Sequence, residues 1–90
     1  MANSLSDRAL LLIEQSSLND LTRAGPTDYN RWVNIKRGRA RVGADEIEVL
    51  AKFYPAYRWW LLTGETKPID GQTSPAYDEA NRNLSNQNAG

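Results

Sequence analysis

The stretch SLNDLTRAGPTDYNRWVNIKRG, Ser17 to Gly38, decides the reading of the chain. Ser17 followed three residues later by Asp20 is a helix-start signal: a hydroxyl placed to accept from the backbone, with an acid in the first turn. The signal predicts a short helix over Leu18 to Ala24. Gly25 suits the left-handed conformation that closes a helix, and Pro26 cannot continue one. Thr27 or Asp28 then caps a second helix, Asp28 to Arg37, with Trp32 and Ile35 turned inward and Gly38 as its stop.

Working outward, the N-terminal side repeats the pattern. Ser4 with Asp7 opens a helix from about Leu5 to Gln15, along which Leu5, Ala9, Leu10, Leu12 and Ile13 recur at helical spacing. On the C-terminal side, Val42 to Ala44 leads into a fourth helix. Asp45, Glu46 and Glu48 complement its positive end, and Ile47, Leu50, Ala51 and Tyr54 form its core stripe. Pro55 breaks it. A fifth helix, about Ala56 to Thr63, is rich in aromatics and ends at Gly64. The organisation is therefore a domain over residues 1–64 and a polar tail over 65–90. Ser74-Pro75 predicts one short helix in the tail, about 74–82, and the last residues, Asn81 to Gly90, read as disordered. No segment alternates with period two, so the expected class is all-α.

Two short helices joined by a tight Gly-containing turn make a docking unit. The first crosses the phosphate backbone of a duplex, and the second offers its N-terminal side chains to base edges in the major groove. Charge supports that use. The chain has 11 basic and 11 acidic residues, yet Arg31, Lys36, Arg37, Arg39 and Arg41 fall together with no acid among them. Such concentration on one segment is expected of a face that meets a polyanion. Lys36, Arg37, Arg39 and Arg41, with Thr27 at the helix start, suit phosphate contacts, which set register without reading sequence.

The series Asp20-Leu21, Gly25-Pro26-Thr27, Trp32, Ile35, Gly38, Leu50-Ala51 and Trp60-Leu61-Leu62-Thr63-Gly64-Glu65 resembles the Cro/C1-type (Xre) family of helix-turn-helix phage and prophage repressors. The resemblance covers about Leu5 to Glu65, and its closing segment is the most specific part. It implies a compact five-helix, lambda-repressor-like domain. Aligned from Trp32, Ile35 and Gly38, it places Tyr29, Asn30, Arg31, Val33 and Asn34 toward the groove. Arg31 is suited to a bidentate pair with guanine, Asn30 and Asn34 to adenine, and Val33 to a thymine methyl. Tyr29 can bond a phosphate or pack on a sugar. It further implies a two-fold homodimer on a palindromic operator. Tyr57, Trp59, Leu62 and Tyr77 are the residues expected at its interface, since so many apolar rings cannot all face one small core.

Other classes fare worse. With no Cys and no His, thiolate metal sites and the usual general base are absent. There is no Gly-rich phosphate loop and no pair of carboxylates in an evident pocket, so we expect no enzyme, no cofactor and no small-molecule ligand. The longest apolar run, Ala9 to Ile13, is too short to span a bilayer, and no leader pattern is evident, so a place in the bacterial cytoplasm is expected. The expected partner is double-stranded DNA. An antitoxin-like autoregulator and a protein-binding module on the same fold are the alternatives, the latter disfavoured by the clustered cations.

Overall fold

The computed structural model describes the backbone of residues 4–89 and the side chains of residues 4–84. Helix α1 (Leu5–Glu14) opens at Ser4, whose Oγ accepts the Asp7 N–H at 3.1 Å. Helix α2 (Leu18–Ala24) opens at Ser17, which accepts from Asp20 at 3.4 Å. Asp28 caps α3 (Tyr29–Lys36), taking the Arg31 N–H on Oδ1 at 2.8 Å. The Thr27 hydroxyl turns instead to Glu46. Helix α4 (Ala44–Phe53) follows a loop, and a 3-10 turn at Pro55–Tyr57 leads into α5 (Arg58–Thr63). A second 3-10 turn, Pro68–Asp70, precedes α6 (Pro75–Ala89). Among the described residues the only pairing of β type is the single bridge between Lys67 and Gln72. No described helix is long and apolar enough to cross a membrane.

Two expectations need revising. The tail helix runs on to Ala89, where the sequence reading stops it near 82 and treats the end as disordered; no Gly or Pro after Pro75 interrupts it before Ala89. Gly90 lies outside the described residues. Gly25 does close α2, but in extended backbone at φ −165° and not in the left-handed region. Its requirement is spatial. A Cβ at this position would collide with the Val49 side chain, so glycine lets α4 approach the turn between α2 and α3. The left-handed glycine of this region is Gly38, at φ +78°, just past the end of α3.

The core draws on each of the first five helices: Ala9, Leu12 and Ile13 from α1, Leu21 from α2, Trp32 and Ile35 from α3, Val49 and Leu50 from α4, Leu61 from α5. Trp32, fully buried, is the largest. Arg8 is buried as well, and its Nε donates to the Leu61 carbonyl at 3.0 Å, satisfying an acceptor that the short α5 leaves without an intrahelical donor. This packing orients α3: its inward side is set against α1 and α2, so its outward side is a defined surface.

Candidate nucleic-acid interface

At 3.6 residues per turn, successive side chains rotate by about 100°. With Trp32 and Ile35 inward, Asn30, Val33, Asn34 and the capping Arg37 therefore share the opposite side of α3. Tyr29 and Lys36 lie on one flank and Arg31 on the other. Exposure follows this arrangement: Asn30, Asn34, Lys36 and Arg37 are exposed, Val33 is half-buried, and Tyr29 is 46% exposed. The structure thus brings three of the five expected groove-facing residues, Asn30, Val33 and Asn34, onto one accessible strip, with Tyr29 exposed at its edge.

The fifth has another environment. Arg31 projects along the flank toward α4, where its Nη2 lies 3.1 Å from Glu46 Oε1 and donates to the Arg41 carbonyl at 3.0 Å. The Glu46 hydrogen bond and charge hold the guanidinium pKa above its ordinary value. Thr27, expected at a phosphate, is buried, and its hydroxyl donates to Glu46 Oε2. Glu46 itself, read from sequence as a helix-start charge, is 3% exposed. Besides Arg31 and Thr27 it receives the Gly43 N–H at 2.7 Å. Burial pushes its carboxyl pKa upward, but the bonds from Arg31, Thr27 and Gly43 together with the Arg31 charge outweigh that, and it lies below the usual value. The sequence did hold a signal for this residue: Glu46 sits three positions after the cap Gly43, where a glutamate reaches back to the cap N–H.

The remaining cations are arranged differently. Lys36, Arg37, Arg39 and Arg41 are all exposed, and none takes part in an ion pair among the described residues. The loop that holds them is folded back on α3, with the Arg39 N–H donating to the Asn34 carbonyl at 2.8 Å and the Gly38 N–H to Ile35 at 3.0 Å. Four uncompensated positive charges therefore border the polar strip of α3.

The expected pairing residues divide. Tyr57 stacks on Tyr54 at 5.8 Å between ring centroids, and its hydroxyl donates to Asp78 Oδ2 at 2.7 Å. Trp59 is covered by Lys67, whose Nζ stands 4.0 Å from the ring centroid, and its backbone N–H donates to Gln72 Oε1 at 2.9 Å. Tyr77 is half-buried. Leu62 alone among the four is exposed, at 55%, and borders an apolar groove with Leu5, Val42, Ile47 and Ala51. The chain's own tail thus occupies much of the aromatic surface that the sequence reading left for a partner.

An all-helical domain with a polar helix strip beside uncompensated cations defines a class of small helical proteins with one basic face. Its nearer kinship comes from a solved structure described as Pf6r from the filamentous phage Pf6 of Pseudomonas aeruginosa PA01. The two share 39% sequence identity over 91% of this chain and 98% of that one, with a TM-score of 0.86. At that identity over almost the full length of both, the chain belongs to the same family as Pf6r. No protein-family model matches it, and no curated protein does.

Proposed function

We propose that this protein is a sequence-specific DNA-binding transcriptional regulator of phage or prophage, of the Cro/C1-type, lambda-repressor-like helix-turn-helix kind. The observation that carries the reading is the strip of Asn30, Val33 and Asn34 bordered by the exposed, uncompensated Lys36, Arg37, Arg39 and Arg41. Kinship with a phage protein supports it. In this reading α2 crosses the backbone and α3 enters the major groove. Asn30 and Asn34 pair with adenine edges, Val33 meets a thymine methyl, and Tyr29 packs at the rim. The four cations hold phosphates, and their counterions are released on binding. A homodimer on a palindromic site completes the proposal, with Leu62 as the open apolar residue available for pairing. Repression then follows from occupying the operator.

The test is binding of the purified protein to fragments from the region upstream of its own gene, across a salt series. One preferred fragment, bound with a log–log salt slope of several units, is the expected result. Asn34→Ala should relax the preference at one base pair by about tenfold or more. Arg39→Ala should weaken all fragments alike and reduce the slope by about 0.9. Equal, weak binding to every fragment by the wild type would overturn the proposal.

A further inference from the structure

Glu46 is the one nearly buried carboxylate among the described residues, and three donors from three different segments converge on it: the Thr27 hydroxyl before α3, the Arg31 guanidinium within α3, and the Gly43 N–H at the end of the basic loop. Arg31 adds a fourth connection, because the same Nη2 also binds the Arg41 carbonyl in that loop. Other hydrogen bonds between α3 and this loop are the backbone bonds of Arg39 and Ala40 to Asn34 and of Gly38 to Ile35. We infer that Glu46 is a positioning residue that, through Arg31, holds the base-facing strip of α3 and the basic loop in one register, and that Arg31 serves as the strut of this interface and not as a reader of a base.

The inference rests on the DNA-binding reading and deepens it. A protein that docks on a duplex must present its phosphate contacts and its base contacts at a fixed offset, since the duplex spacing between backbone and base edge is itself fixed. Asn30 and Asn34 lie on rigid helix, whereas Arg39 and Arg41 lie in a loop. Ala40 and Val42 anchor this loop on the core, but a loop with no side-chain bond to the helix is freer to change its offset from it than a residue on that helix. A buried acceptor shared by α3 and the Gly43 end of that loop, with Arg31 also bound to the Arg41 carbonyl, narrows this freedom before DNA arrives, which is where preorganisation yields affinity. The arrangement also explains why Arg31, the first cation of the basic segment, differs from the other four. It sits on the flank of α3 that faces α4, turned away from the strip formed by Asn30 and Asn34.

A base reader and a strut leave different signatures. The probe is the upstream fragment that the wild type selects, together with a set carrying every single base-pair change in it. As a strut, Arg31→Ala weakens binding to all of these by one common factor, about tenfold, and leaves the rank order of the fragments unchanged. Glu46→Gln, whose side chain is out of reach of DNA, produces the same uniform loss. The double variant loses little more than the worse single one, because both act through one bond. Binding is measured where circular dichroism shows each variant folded. If Glu46→Gln does not fold, the exposed Arg31→Ala decides alone.

Loss of discrimination at one base pair in Arg31→Ala, or additive losses in the double variant, would overturn the strut while leaving the DNA reading intact. Lack of any preferred fragment for the wild type would overturn the DNA reading itself, and the strut with it.

Discussion

The Tyr57 hydroxyl donates to Asp78 Oδ2 across 2.7 Å, joining the aromatic end of the domain to the first turn of α6. Burial is the main reason that the Tyr57 pKa is pushed up to about 12, followed by the hydrogen bond to Asp78 and the charge of that carboxylate. Tyrosine in an unfolded chain titrates near 10. The folded form therefore holds its proton more tightly, and the associated stability is complete below about pH 10 and is lost as pH rises through about 12. In an alkaline titration followed by tyrosine absorbance and circular dichroism, loss of helix should accompany Tyr57 ionisation. Tyr57→Phe should remove that coupling and, at pH 7, loosen α6 by about 1–2 kcal/mol, read as faster amide exchange over residues 75–84. Unchanged exchange would show that the bond contributes nothing to docking the tail.

Gly25 offers a test of packing against conformation. Because its backbone is extended, any residue fits its φ, and the penalty for a side chain is steric: the Cβ meets Val49. Gly25→Ala should cost about 1–3 kcal/mol, as overpacked cores do. Gly38→Ala, with nothing within 4 Å of the added Cβ, should cost only the strain of φ +78°, about 1 kcal/mol. The discriminating measurement is the pair Gly25→Ala and Val49→Ala. Their combined destabilisation in urea should be smaller than the sum of the two, since the second change opens the space the first one needs. Simple additivity would mean that Gly25 is needed for some reason other than Val49.

Glu46 predicts an acid limb to stability. Its pKa lies below the usual carboxylate value when folded, so its contribution is full above the unfolded value of about 4.3 and is lost as pH falls through the folded value. Wild type should exceed Glu46→Gln by about 1–3 kcal/mol at pH 7 in chemical denaturation. The gap between the two curves should narrow as pH falls below about 4.3 and close below the folded value. Parallel curves down to pH 3 would mean that the carboxylate charge is not what Thr27, Arg31 and Gly43 recognise.

Much of the architecture was legible in the residues themselves. Ser4, Ser17 and Asp28 announce their helices because a cap is a local event, set by one side chain and an N–H three residues on. Trp32, Ile35, Leu50 and Leu61 read as core because burial follows the helical period, and the cluster of five cations from Arg31 to Arg41 was visible because charge needs no fold to be counted. The length of α6 was misjudged because polar composition says little about where a helix stops when neither Gly nor Pro intervenes. What the chain's order could not convey was which side chains meet across elements. Arg31 looks like its neighbours Arg37 and Arg39 until α4 is packed beside α3 and brings Glu46 to it. Thr27 looks like a phosphate ligand until that same carboxylate takes its hydroxyl, and Gly25 looks like a left-handed cap until Val49 fills the space opposite. Local hydrogen bonds and periodicity belong to the sequence by itself; the fate of a polar group at an interface is decided by a partner 15 or more residues away, and only tertiary packing brings the two together.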